Sequence, residues 1–188
     1  MLWLTDEECG TKTEDSHYFD KGTPAIAPFP RKSYFLTVMD AMLKNKRLFI
    51  LKSREMMTSW LACGYITWMV EFHPHLFWVL QCEKDDKAVQ LIEYCRILHR
   101  NQPRWMQDRN PLLVDNTAEL KLANGGHILA VPKGENQIRI HHPHGYLMDE
   151  AAFLPEAQQC YDATSPVAKQ IIAISTDNIG WFHTECHL

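Results

Sequence analysis

Apolar residues along this chain fall into short runs of two periodicities. Phe35, Val38, Met39, Met42 and Leu43 recur at helical spacing, which predicts a helix over 31–46. The run LFIL within Arg47–Lys52 is apolar on both faces, as a parallel strand covered by helices on each side requires. The alternation then repeats. Residues 59–72 and 84–100 read as helices and HLFWVLQC (75–82) as a strand. Residues 111–126 read as strand and turn, with a hairpin signal in NGG at 124–126, and GHILAVP (126–132), GYLMDE (145–150) and KQIIAIST (169–176) as further strands. Buried strands alternating with helices predict an α/β fold with a mostly parallel central sheet flanked by helices. Residues 1–29 are polar and then Pro-rich, and predict a partly irregular N-terminal arm ahead of one domain over 30–188.

Composition narrows the class without naming it. The 188 residues suit one domain with a sizeable core. A net charge of −4 supplies no bulk attraction to nucleic acid, so any such contact needs a local patch. The six cysteines include no CxxC pair, which predicts a reduced protein without structural disulfides. The apolar stretch 59–72 is shorter than the ~20 residues of a membrane span, and the N-terminus lacks the pattern of a secretion signal. The expected location is the cytoplasm.

In open parallel sheets, ligands bind beyond the carboxyl ends of the strands. Lys52, Ser53, Arg54, Glu55, Met56, Met57, Thr58 and Ser59 follow the first strand, and the next helix starts at Thr58–Ser59. This is the outline of a phosphate-binding loop, although the pattern GxxxxGK[ST] fails at Lys52, Met57 and Thr58. The chemistry needs backbone amides, a cation and a metal-binding hydroxyl. A helix N-terminus, Lys52 or Arg54, and Ser59 offer those. The alternative is a plain strand-to-helix turn with Thr58 or Ser59 as N-cap. Asp149 and Glu150 follow a buried apolar run, where two unpaired carboxylates would be costly. Mg²⁺ is the obvious partner; capping of a following helix is the alternative. Ser175 and Thr176 end the last strand.

Together KSREMMTSW, QIRIHHPHGYLMDEAAF and AISTDNIGWF resemble, in order and spacing, the motifs of the large terminase subunits of tailed bacteriophages. Those are ATPases that pump DNA into capsids, and the likeness runs from about Pro30 to Phe182. It implies a three-layer P-loop NTPase of the ASCE, RecA-like type. It further implies Lys52 and Arg54 on phosphates, Ser59 and Asp149 on the Mg²⁺ that accompanies ATP, and Glu150 as catalytic carboxylate. By the same resemblance Arg139 is an arginine finger acting on a neighbouring subunit. Ser175 and Thr176 become coupling residues that link hydrolysis to movement. The implied partners are double-stranded DNA, a portal protein and a small terminase subunit, in a homo-oligomeric ring in the host cytoplasm. Met57 departs from the family's glycine, and no aspartate-rich nuclease site is visible, so an ATPase domain without the RNase H-like nuclease is expected.

Three further signals stay open at this level. The alternatives in function are a non-catalytic docking module and a helicase-like fragment. His141, His142 and His144, with His183, Cys186 and His187, carry zinc-ligand atoms without regular spacing. The group Arg96, His99, Arg100, Arg104 and Arg109 reads either as a DNA-phosphate patch or as a solvated helix face.

Overall fold

A computed structural model describes residues 2–5, 11–14 and 26–187. In chain order the elements are α1 (Leu2–Thr5), β1 (Lys12–Glu14), β2 (Ile26–Pro28), α2 (Ser33–Lys44), β3 (Arg47–Leu51) and α3 (Thr58–Phe72). Then come β4 (Phe77–Cys82), α4 (Asp85–Arg100), α5 (Arg104–Arg109), β5 (Leu112–Asp115), β6 (Glu119–Leu122) and β7 (His127–Ala130). The chain continues through α6 (Glu135–Arg139), β8 (Gly145–Asp149), α7 (Ala157–Thr164), β9 (Gln170–Ser175) and α8 (Trp181–Cys186).

Seven strands form one sheet in the order β3-β9-β8-β4-β7-β6-β5. The first five run parallel, and β6 and β5 add an antiparallel edge. The glycine pair makes the β6–β7 hairpin, with Gly125 at φ 83. Side chains alternate between the two faces along each central strand. Leu80, Leu147, Ile172 and Ile174 join one core with α2, α3 and α4; Val79, Tyr146, Met148, Ile171 and Ala173 join a second with α6, α7 and α8. The result is the three-layer α/β sandwich expected from the alternation of strands and helices.

Two particulars add to the sequence reading. β3 is parallel as expected but pairs only with β9, so it is an edge strand with partly exposed residues. The described parts of the N-terminal arm are ordered into α1 and a β1–β2 ladder. Leu4 packs on Gly64 of α3, and Thr11 donates its hydroxyl to the Leu98 carbonyl. The remainder of that arm lies outside the described residues.

Register is what creates a working edge. Leu51 pairs with Ser175, Asp149 with Ile174, and Cys82 with Asp149. The carboxyl ends of β3, β9, β8 and β4 therefore stop at one level, and their next residues share one rim.

Candidate active site

That rim opens into a cleft of about 700 Å³ lined by Lys52, Arg54, Glu55, Ser59, Asp149, Glu150 and Thr176, and on the α4 side by Lys84, Lys87 and Tyr94. Residues 52–57 link β3 to α3 and are held at three points. The Lys52 amide donates to the Ser175 carbonyl (3.0 Å), and the Tyr34 hydroxyl donates to the Met56 carbonyl (2.9 Å). The Leu61 amide closes the first turn of α3 on the Met57 carbonyl (3.0 Å).

Met57 is the N-cap of α3 and lies in the left-handed region, at φ 52 and ψ 24, with no side-chain cap. Capping by Thr58 or Ser59 is therefore set aside: Thr58 is the first helical residue and is buried. A glycine at Met57 would reach this conformation without strain, whereas a methionine pays for its Cβ. The loop thus turns at Met57 through a conformation that favours glycine. Glu55 (φ 62) and Glu150 (φ 52) share the same region, so three strained non-glycine residues flank one cleft.

Ser59 Oγ donates to Asp149 Oδ1 at 2.9 Å, and Lys52 Nζ lies 2.9 Å from Glu150 Oε1. Ser175 Oγ reaches Glu150 Oε2 at 3.5 Å. Burial pushes the Asp149 carboxyl up to about 6, against the opposing pull of the Ser59 hydrogen bond, and the charge of Glu150 adds to the rise. A carboxyl so placed gains from a cation. The chemistry of the donors, a hydroxyl and a buried carboxylate that meet in the cleft, is of the oxygen type that Mg²⁺ takes, so Ser59 and Asp149 are the residues that would hold it. Helix capping by the acidic pair is not seen: a turn follows Glu150, and α7 has Glu156 as its N-cap.

No known family profile and no curated protein sequence matches the chain. Solved structures do. A variant of the large terminase ATPase domain of Thermus phage P74-26 superposes with a TM-score of 0.63 at 12% identity, over 82% of this chain and 68% of that one. The large terminase of the thermophilic bacteriophage D6E in complex with ADP gives 0.60 at 15% identity, over 83% of this chain and 42% of that one. The HK97 bacteriophage large terminase gives 0.61 at 13% identity, over 79% of this chain and 33% of that one. The fold is that of the phage large-terminase ATPase domains.

Within this terminase-type fold, the cleft brings together Lys52, Arg54, Glu55, Ser59, Asp149, Glu150 and Thr176. Ser175 stands just behind it, fully buried. Ser53 is exposed on the loop and Met56 is partly buried. Arg139 is not in the cleft: at the end of α6 it is 60% exposed and pairs with Glu135. Sequence reasoning missed Lys84, Lys87, Tyr94 and Cys82, although Cys82 and Lys84 obey the strand-end rule that found the others. Burial first, and then the Asp149 charge, push the Cys82 thiol up to about 12, so it stays neutral. The rule could not have found Tyr34, because its role depends on α2 packing beside the loop.

The remaining signals resolve differently. Among the described residues no group of three or more His, Cys, Asp or Glu converges on a metal position. His144 Nδ1 accepts from the Phe77 amide (3.1 Å), and His183 pairs with Asp177 (2.8 Å). Arg96 and Arg100 are both tied to Asp115, and His99 is buried against Glu71 at 3.1 Å. Arg104 and Asp108 approach to 3.7 Å on an exposed face, and Arg109 lines a separate cleft beside Trp105. Arg96, Arg100 and Arg104 of this group therefore each face a carboxylate. No described cysteine forms a disulfide, Cys9 lies outside the described residues, and no described helix is long and apolar enough to cross a membrane.

Proposed function

We propose that this chain is an ATPase domain that hydrolyses ATP with Mg²⁺ to drive double-stranded DNA into a phage capsid. The observation that carries the reading is the meeting of Lys52, Ser59, Asp149 and Glu150 in one cleft beyond the strand ends, on elements up to 98 residues apart in sequence. The solved relatives with ADP and with ATP-gamma-S support a nucleotide as the occupant.

The roles follow from chemistry. Amides of the 52–57 loop and the α3 N-terminus offer donors to phosphate oxygens, and the helix dipole favours their charge. Lys52 and Arg54 supply cations. Ser59 and Asp149 would hold Mg²⁺, which neutralises charge developing on the phosphates. Glu150 would accept a hydrogen bond from the attacking water and orient it in line with the γ-phosphate. Ser175, at the end of β9, and Thr176, just beyond it, lie next to both the loop and Glu150 and are the coupling residues of this reading. Arg139 acts on a neighbouring subunit of a ring. Portal protein and small terminase subunit are the further partners, residues 30–188 the ATPase unit, and the host cytoplasm the setting.

The experiment compares wild type with Glu150→Ala in ATP binding and in phosphate release. The expected result is intact binding with hydrolysis abolished; unchanged turnover in the variant sinks the assignment. Absence of ATP binding by wild type at millimolar concentrations, with Mg²⁺ present, would favour a docking module instead.

A further inference from the structure

The phosphate-loop cation and the catalytic carboxylate are not waiting apart. Lys52 Nζ sits 2.9 Å from Glu150 Oε1, with the lysine side chain only 10% exposed and the glutamate 33%. The second oxygen of Glu150 faces Ser175 Oγ at 3.5 Å. One carboxylate oxygen is thus ion-paired to the phosphate-loop lysine, and the other lies within 3.5 Å of a hydroxyl on the neighbouring strand.

We propose that the Lys52–Glu150 ion pair is a latch, which keeps the carboxylate out of service until a bound triphosphate draws Lys52 away. This inference rests on the nucleotide reading above. Three features of the geometry build it. First, the lysine stands at the start of the loop, directly after β3, and its amide is bonded to Ser175. That puts its side chain beside the end of β9, one strand from Glu150 at the end of β8. Second, Glu150 holds a left-handed backbone at φ 52, a strained state that persists only where surroundings fix it. Third, Asp149 does not compete for the lysine as its nearest partner, because its own Oδ1 takes the Ser59 hydroxyl.

A single carboxylate is the weaker partner for a lysine once a polyphosphate lies in the same cleft, since the phosphates bring several negative charges and more acceptor oxygens. Binding and activation then become one event. A site without substrate holds its water-orienting group shut, and a site with substrate releases it.

The test is a double-mutant cycle on binding. Wild type, Glu150→Gln, Lys52→Met and the double variant are titrated calorimetrically with a non-hydrolysable ATP analogue and Mg²⁺. The latch predicts that Glu150→Gln tightens binding about five- to tenfold when Lys52 is present, the coupling expected of a partly buried ion pair. In the Lys52→Met background the same change should give no gain. Equal gains in both backgrounds would mean plain repulsion between Glu150 and phosphate, and would overturn the latch while leaving the nucleotide site standing. Binding by none of the four proteins overturns both readings together. Where Lys52→Met binds too weakly to titrate, the same cycle is run on urea unfolding of the nucleotide-free proteins. There the latch requires the double variant to lose less stability than the two single losses combined, and strict additivity overturns it.

Discussion

Met57 stands where the phosphate-loop pattern has glycine. Its φ of 52 lies in the region that glycine reaches freely, and nothing in a methionine's identity announces it. The conformation makes a prediction opposite to the usual ranking. In element interiors and at loop positions of negative φ, alanine outperforms glycine by about 0.5–1 kcal/mol; at a left-handed N-cap the order reverses by a similar amount. Met57→Gly should therefore be more stable than Met57→Ala by about 1 kcal/mol in urea unfolding. A more stable alanine variant would mean that the loop does not hold the left-handed turn. Asp149 makes a second prediction, this one in pH. Burial raises it from an ordinary 3.8 to about 6, so the folded protein binds its proton more tightly than the unfolded chain does. The corresponding stabilisation, up to about 3 kcal/mol, is complete below pH 4 and lost as pH rises through 6. Without metal, Asp149→Asn should flatten that part of the pH–stability profile. Added Mg²⁺ should raise the Tm of wild type at pH 7.5 and have little effect at pH 5, because only the ionised carboxylate binds it. A Mg²⁺ effect that is the same at both values contradicts the assignment of Asp149 as its ligand.

At the scale of elements, legibility tracks how much of an element's signal is its own. The runs in β4 and β8 are apolar on both faces and bounded by polar residues, so they read as buried strands without help. β5 and β6 are four residues each, β5 with no buried residue, and α7 and α8 are short and mixed; their existence depends on neighbours. The candidate site followed the same division. Lys52, Ser59, Asp149 and Glu150 were legible because they lie just beyond strong apolar runs, whereas Tyr34 acts through a tertiary contact that no spacing encodes. Gly145 lies between these cases. It begins β8, and a Cβ there would lie 2.3 Å from the Trp78 ring on β4. The indole is fully enclosed and stands edge-on to Tyr65, so it has nowhere to retreat. Gly145→Ala should cost about 2–3 kcal/mol, within the upper range for overpacking, and Trp78→Leu in the same chain should recover part of the loss. Thermal unfolding of the two variants measures this, and a harmless Gly145→Ala would show that the β4–β8 pairing is looser than drawn. The site would feel the change as well, because that pairing sets Cys82 level with Asp149.

For the whole molecule, strand order was the part least available from sequence. A run apolar on both faces predicts coverage by helices, and β3 has it, but the same run says nothing about whether strands lie on both sides. Its edge position puts the 52–57 loop at one margin of the sheet, whereas α6, with Arg139, is the crossover from β7 back to β8 and packs by Ile138 beside Val79, Tyr146 and α7. Arg139 is largely solvent-exposed, shares an ion pair with Glu135, and lines no part of the cleft that holds Glu150. An arginine so placed lines no part of its own cleft, and the role proposed for it above is to act on the cleft of a neighbouring subunit rather than within its own chain. The two arrangements separate in a mixing experiment. Arg139→Ala and Glu150→Gln should each abolish turnover in assemblies of a single type, while each variant still binds nucleotide. When the two are mixed and allowed to assemble, some contacts join an intact Arg139 to an intact Glu150 on different chains, and hydrolysis should return in proportion to those contacts. If the arginine worked only within its own chain, no mixture could contain a complete site, and turnover would stay absent at every ratio.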